Sequence, residues 1–193
     1  MTGGHSPCTG RAPPVHRLRA LRSGVVYGLV TLLVGCAVGP GAQSFRDQSV
    51  PIGVSSRFAA DRFEGSWQVR GAYPGDADFL SVARRDTGPD ASVWTVRSQV
   101  CPADAACRAE TTDWPATVTQ PGVDRVDTPE AEARQVVVIW VDEGFRTAAV
   151  GDPAGSFAWV LDRNTQGGAD RIEAARQVLA FNGFDLSDME MRP

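Results

Sequence analysis

The residues of this chain with the most chemical potential are its cysteines, its histidines and one pair of adjacent carboxylates. The 193 residues contain four cysteines and two histidines. Both histidines, His5 and His16, lie close to the N-terminus. Serine–histidine–aspartate catalysis needs an imidazole as its general base, and histidine is also a frequent ligand of catalytic zinc. Histidine chemistry is therefore available only if the N-terminal segment stays on the chain.

The N-terminal segment has the pattern of an export signal. A basic stretch from Val15 to Ser23 precedes an uncharged, mostly apolar stretch from Gly24 to Gly35. The apolar stretch is shorter than the roughly 20 residues that cross a bilayer as a helix, so it fits the central region of a signal peptide better than a permanent anchor. We predict a signal peptide over residues 1–35. The alternative is a cytosolic protein with an apolar N-terminal helix and an incidental cysteine.

The apolar stretch ends in Leu33-Val34-Gly35-Cys36, which resembles the lipobox of bacterial lipoproteins. The resemblance implies cleavage before Cys36 and lipidation of its thiol by a diacylglyceryl group, a modification of the palmitate type. Ala37 follows the cysteine where an aspartate would favour inner-membrane retention, so the periplasmic side of the outer membrane is the expected location. Residues 36–56 then form a lipidated cysteine and a flexible tether, because Gly, Pro, Ser and Gln occur there with little periodicity.

Two cysteines remain once Cys8 is assigned to the leader and Cys36 to lipidation. In an oxidising compartment, Cys101 and Cys107 are spaced for a local disulfide, which would stabilise the fold by ~2 to 3 kcal/mol. A zinc site is the alternative, but no histidine follows the leader to complete it. We therefore expect a disulfide, no metal and no cofactor.

Composition and charge narrow the classes of function. The chain is 42% hydrophobic and 22% charged, as in ordinary globular domains, and its length suits one domain. A formal net charge of -4 with no long basic run argues against nucleic acid as a partner. The adjacent carboxylates Asp142 and Glu143 fall in a predicted turn, where a solvated role is favoured over acid–base catalysis. We expect a binding or structural protein and no enzyme.

Short β-like segments separated by turn residues must position these side chains. Their β-branched and aromatic content and the Gly, Pro and Asp clusters between them predict eight strands. The predicted strands cover residues 66–73, 79–85, 92–100, a pair within 108–119 and 123–127, and then 134–142, 145–151 and 156–163. Because one long sheet would leave two unpaired edges, we expect the strands to close on themselves.

A helix follows the predicted strands. Ile172, Ala175, Val178 and Leu179 recur at helical spacing and form one apolar stripe, and Gly183 stands where a C-terminal cap glycine belongs. The stripe must cover one face of the sheet. A short terminal strand is predicted within residues 184–191.

Two motifs far apart in the chain resemble the lipocalins, and specifically bacterial lipocalins of the outer membrane. Gly65-Ser66-Trp67 resembles the family's Gly-x-Trp motif on the first strand, and Trp159-Val160-Leu161-Asp162-Arg163 resembles the eighth strand with its final arginine. The resemblance covers most of residues 57–193. It implies an all-β fold, an eight-stranded up-and-down antiparallel barrel with one C-terminal α-helix packed outside. It also implies that Trp67 closes one end of the barrel, with Arg163 lying across its ring in a cation–π contact worth ~0.5 to 2 kcal/mol.

The resemblance makes the barrel interior the candidate binding site. Side chains alternate between the two faces of a strand, which places Phe157, Trp159 and Leu161 inside and Ala158 and Val160 beneath the helix. The same alternation adds further lumen candidates: Trp94, Val96, Val136, Val138 and Trp140.

The expected function is the binding, storage or transport of a small hydrophobic ligand of the fatty acid or lysophospholipid class by a protein anchored in the outer membrane. An eight-stranded barrel is just wide enough for one such ligand or for its own side chains. The alternative is therefore a structural or interaction lipoprotein of the envelope, whose barrel is filled by the same aromatic residues and holds no ligand.

Overall fold

The computed structural model describes residues 43–129 and 133–192. The predicted signal peptide, residues 1–35, and the predicted lipidation site Cys36 lie outside the described residues. Most of the predicted barrel domain, residues 57–193, lies within them.

The strands of the described residues form one antiparallel barrel. In chain order they are β1 (Gly65–Ala72), β2 (Phe79–Gly88), β3 (Ala91–Val100), β4 (Arg108–Gln120), β5 (Val123–Val126), β6 (Arg134–Val141), β7 (Thr147–Gly151) and β8 (Ala158–Asp162). Each strand pairs with the next along the chain, and β1 pairs with both β2 and β8, which closes the sheet. The predicted eight-stranded up-and-down barrel is confirmed, including the two strands predicted within residues 108–127.

Two α-helices and one further strand accompany the barrel in the part of the chain that the structure describes. They are α1 (Ala60–Phe63), α2 (Ala169–Phe181) and β9 (Glu190–Met191). Helix α2 packs outside the barrel against β6, β7 and β8, as predicted. Gly183 follows it with a φ of +88°, a left-handed conformation that glycine adopts at low cost, so the predicted cap is present. Strand β9 pairs with the end of β1, at the end of the segment predicted to hold a short strand.

The barrel has a closed end and an open end. Helix α1 and the β2–β3, β4–β5 and β6–β7 turns lie at the closed end. The open end carries a 3₁₀ turn, Pro74–Asp76, and the β3–β4, β5–β6 and β7–β8 connections.

Apolar side chains pack in two layers, one on each side of the barrel wall. The inner layer fills the barrel, and the outer layer lies between the wall and α2. Ala158 and Val160 belong to the outer layer, where Ala175 and Leu179 of α2 cover them. The small residues on this face let the helix approach the strand closely, and the prediction that they lie beneath the helix is confirmed.

The segment before α1 lies against the barrel. The ring of Phe45 stacks on that of Tyr73, with 4.0 Å between centroids, and the main-chain N–H of Phe45 donates to the carbonyl oxygen of Gly155. The buried guanidinium of Arg46 donates to the carbonyl oxygen of Asn182 at 2.8 Å. These contacts correct the expectation of a flexible tether for the described part of residues 36–56. The composition of the segment hid this, because the partners lie far along the chain.

Candidate functional site

The closed end is sealed by a tryptophan beneath an arginine. The guanidinium carbon of Arg163 lies 3.7 Å from the ring centroid of Trp67, and the indole N–H donates to the carbonyl oxygen of Phe63 at 2.9 Å. The guanidinium donates to the carbonyl oxygens of Arg62, Phe63, Glu64, Ser66 and Phe145. Burial lowers the pKa of Arg163. The cation–π contact that the family resemblance implied is present. Because the guanidinium of Arg163 donates only to main-chain carbonyl oxygens, these contacts indicate a structural role.

Gly65 is required by this arrangement. Its φ is +89°, which disfavours any side chain, and a Cβ there would lie 3.4 Å from a guanidinium nitrogen of Arg163. The glycine of the Gly-x-Trp motif therefore lets the strand begin directly beside the arginine.

The interior of the barrel is filled mainly by aromatic and β-branched side chains. Six of the predicted lumen residues belong to the inner layer: Trp94, Val96, Val136, Val138, Phe157 and Trp159. Each of them is buried. Their inward orientation follows from strand alternation, and contact of any of them with a ligand stays a prediction.

Trp140 does not face the lumen. The pairing of β6 with β7 shifts by one residue between Val138 and Trp140, so Val138 pairs with Val150 but Trp140 pairs with Ala149. Trp140 therefore packs against the outer layer, and Val141 takes the inward position. The prediction that Trp140 lines the lumen is wrong, because a β-bulge inverts the alternation beyond it.

A buried carboxylate near the closed end was not expected from the sequence. Asp124 on β5 accepts hydrogen bonds from Nε of Arg84 at 2.7 Å, from Nε1 of Trp94 at 2.7 Å and from Oγ of Ser92 at 2.9 Å. Arg84 and Asp124 are each only 2% exposed. Burial alone would lower the pKa of Arg84, but the hydrogen bond and charge of Asp124, with Asp86, raise it.

A second buried carboxylate lies near the open end. Asp76, in the 3₁₀ turn, accepts a hydrogen bond from Nε1 of Trp159 at 2.8 Å. Nη1 of Arg134 lies 3.0 Å from each of its carboxylate oxygens. The side chain of Arg134 is 26% exposed, so this pair is within reach of water. The Asp76–Arg134 pair forms a polar layer between the filled interior and the open end of the barrel.

Strand alternation contained a signal for these charged residues. Arg84 shares the inward parity of Val82, and Asp124 shares that of Val126. A charged residue at an inward position needs a partner of opposite charge, because an unpaired buried charge is costly. The pattern of apolar residues alone does not reveal such positions, and neither ion pair was predicted from the sequence.

A cavity of about 220 Å³ lies at the open end, beside the Asp76–Arg134 pair. Its apolar lining comes from Phe79, Val96, Val100 and Trp114. Its polar lining includes Asp76, Asp78, Glu110, Thr112 and Arg134. Pockets that enclose drug-sized ligands usually measure roughly 300 to 1,000 Å³, so this cavity is a shallow cup. We call it the mouth cup.

The β3–β4 connection beside the cup carries the disulfide. Cys101 and Cys107 are bonded to each other, so the predicted pairing is confirmed. Within residues 43–129 and 133–192, no group of three or more His, Cys, Asp or Glu side chains lies close enough to hold a metal ion. In the same ranges, no helix is long and apolar enough to span a membrane.

The adjacent carboxylates Asp142 and Glu143 lie in the β6–β7 turn. Asp142 accepts hydrogen bonds from the main-chain N–H groups of Gly144, Arg146 and Thr147. Burial by itself would raise the pKa of Asp142, but these hydrogen bonds outweigh it and lower the pKa. These hydrogen bonds indicate that Asp142 stabilises the β6–β7 turn.

Comparison with models of protein families and with curated proteins finds no match to this chain. The geometry of the barrel is compatible with a lipocalin-like fold. The candidate binding site is the mouth cup, which lies above a barrel interior filled by its own side chains.

Proposed function

We propose that the protein is a lipocalin-type binding protein of the bacterial envelope that holds a small hydrophobic ligand, of the fatty acid or lysophospholipid class, in the mouth cup. The observation that carries this proposal is a cavity with an apolar wall and a polar rim, at the open end of a barrel whose other end is sealed. Anchoring through Cys36 at the outer membrane is part of the proposal and is supported by the Leu33-Val34-Gly35-Cys36 motif. No enzymatic step is proposed.

The lining of the cup suits an amphipathic molecule. The rings of Phe79 and Trp114 meet edge to face, with 5.7 Å between centroids, and offer a rigid apolar wall. Glu110 and Arg108 form an ion pair on β4, with 2.7 Å between charged atoms. The apolar part of a ligand lies against the wall, while its polar head stays among the charges of the rim.

The filled interior limits how deep the ligand reaches. The indoles of Trp94 and Trp159 lie 6.2 Å apart beneath the cup, and both are buried. A cup of about 220 Å³ therefore takes only part of a long acyl chain. Each buried methylene contributes about 0.8 kcal/mol, so affinity rises about fourfold per added carbon until the cup is full and then levels off.

This dependence on chain length is the test of the proposal. Fatty acids and lysophospholipids of increasing chain length are titrated into the full-length chain, and binding is followed by calorimetry and by tryptophan fluorescence. Trp114→Phe is expected to remove most of the fluorescence response. Trp140→Phe is the matched control, because Trp140 lies outside the barrel, and it is expected to keep the response. The absence of saturable binding for every member of both series would overturn the proposal.

A second candidate is a structural or interaction lipoprotein with a filled barrel. The specific observation in its favour is the packing of Trp67, Trp94 and Trp159 within the barrel, each at most 1% exposed. On this reading the mouth cup is a surface irregularity, and neither ligand series changes the fluorescence or the thermal stability of the protein.

A further inference from the structure

Within residues 43–129 and 133–192, a buried arginine on the outer wall of the barrel lacks a charged partner. Arg70 is 5% exposed, and its Nη1 donates to the carbonyl oxygens of Asn164 at 3.1 Å and Gly167 at 3.3 Å. Its Nε is buried without a hydrogen-bond partner. Among the described residues, no carboxylate lies within 4.0 Å of its guanidinium. Carbonyl oxygens solvate a cation only in part, and Arg70 differs from Arg163 in that its Nε has no acceptor, whereas Nε of Arg163 donates to Phe145.

A β-bulge places this side chain. Val69 pairs with Leu161 and Gly71 pairs with Val160, so Arg70 is the extra residue of β1 and has no partner on β8. Bulges redirect a side chain out of the regular alternation and are frequent beside functional sites. Here the bulge directs Arg70 toward the loop that leads into α2.

Arg70 lines a groove of about 420 Å³ at the start of α2. Gly167 and Ala169 at the N-terminus of the helix form one end of the groove, and Arg176 lines it about two helical turns further on. The helix has 13 residues, and Gly168 at its N-cap provides no side-chain cap for the first N–H groups. The N-terminal end of such a helix carries a partial positive charge that favours anions.

The acidic side chains around the groove already have partners. Glu173 lines the groove and pairs with Nη1 of Arg176 at 2.8 Å. Asp162 accepts hydrogen bonds from Thr147 and Arg171. The charge of Arg70 is therefore not neutralised by either of them. Nε of Arg176 is also buried without a hydrogen-bond partner.

We propose that this groove binds a phosphate group, with Arg70 as its principal charge partner and Arg176 as the second. The group can belong to a small phosphate ester or to the headgroup of a phospholipid, since both present the same oxyanion. Ile172 and Met191 also line the groove and provide apolar contact for the organic part of an ester. The site lies on the outside of the barrel and does not depend on the ligand proposed for the mouth cup.

Calorimetric titration of the full-length chain with inorganic phosphate and with glycerol 3-phosphate tests the site. Saturable binding is expected for both, tighter for the ester and weaker as ionic strength rises. Sedimentation with vesicles of phosphatidylglycerol or of phosphatidylcholine separates the two sources. A preference for the anionic vesicles that disappears in Arg70→Gln identifies a headgroup site, and equal sedimentation with both identifies a site for small esters.

Three variants decide which residues are responsible. Arg70→Gln is expected to weaken phosphate binding at least tenfold, and Arg176→Gln about threefold. Arg97→Gln, which changes an exposed arginine on β3, is the matched control and is expected to bind as the unchanged chain does. If Arg70→Gln does not fold, Arg176→Gln alone decides. The proposal is overturned if the unchanged chain shows no saturable binding up to the millimolar range, or if the groove variants bind phosphate as tightly as the control.

Discussion

Asp124 and Asp76 are both buried inside the barrel, and each accepts hydrogen bonds from one indole and one guanidinium. They differ in access to water. Arg84, the partner of Asp124 near the closed end, is 2% exposed, whereas Arg134, the partner of Asp76 near the open end, is 26% exposed. The same residue types therefore form a sealed pair at one end and a pair that borders a cavity at the other.

The greater exposure of Arg134 makes the open end the one suited to exchange with solvent. The two charged groups of a fully buried ion pair have lost their hydration and depend on each other, so removing one of them is costly. A partly exposed pair is screened by water, and either member can turn toward a ligand at lower cost. The open end is therefore the end at which we propose that a ligand enters, and the pair at the closed end is sealed from water.

The largest expected effect comes from removing each carboxylate in turn. Asp124→Ala leaves the charge of Arg84 buried and unpaired, which is expected to lower the free energy of unfolding by about 3 to 5 kcal/mol. Asp76→Ala is expected to cost about 1 to 3 kcal/mol, because water can reach Arg134. Urea denaturation measures both, with Asp90→Ala, at an exposed position of the closed end, as the control. Equal losses at the two ends would contradict the comparison.

The arginine that covers Trp67 provides the next test. In Arg163→Lys the charge remains, but an ammonium cannot reach all the carbonyl oxygens that the guanidinium reaches, so a loss of about 1 to 3 kcal/mol in the free energy of unfolding is expected. Arg85→Lys is the control, because Arg85 is exposed on β2. Binding at the mouth cup is expected to be unchanged in Arg163→Lys, and a large change in ligand affinity would show that the two ends are coupled.

The smallest expected effect concerns the β6–β7 turn at the closed end. The folded protein lowers the pKa of Asp142 below its usual 3.8, so the ionised carboxylate stabilises the fold at neutral pH. Asp142→Asn is expected to cost about 1 kcal/mol at pH 7. As pH falls below about 4 and through the lowered pKa, the unchanged protein loses this contribution, and the difference between the two proteins shrinks. Thermal unfolding between pH 2 and 7 measures it. A difference independent of pH would contradict the role given to the charge.

Much of the architecture could be predicted from local patterns. The eight strands were located to within a few residues, because alternation and turn chemistry are properties of neighbouring residues. The candidate site was predicted less completely. Alternation placed Phe157 and Trp159 inside, but it failed at Trp140, where a bulge intervenes. Such a bulge is visible only in the pairing of β6 with β7.

The sequence by itself determined the number and order of the strands, the position of α2 and the pairing of Cys101 with Cys107. Each of these depends on residues that lie close together along the chain. The tertiary structure alone decided the ion pairs of Asp124 and Asp76, the outward turn of Trp140 and the isolated position of Arg70. The contacts of these residues join positions 40 to 97 residues apart or follow from strand register, and no local pattern reports which distant residue a side chain will meet.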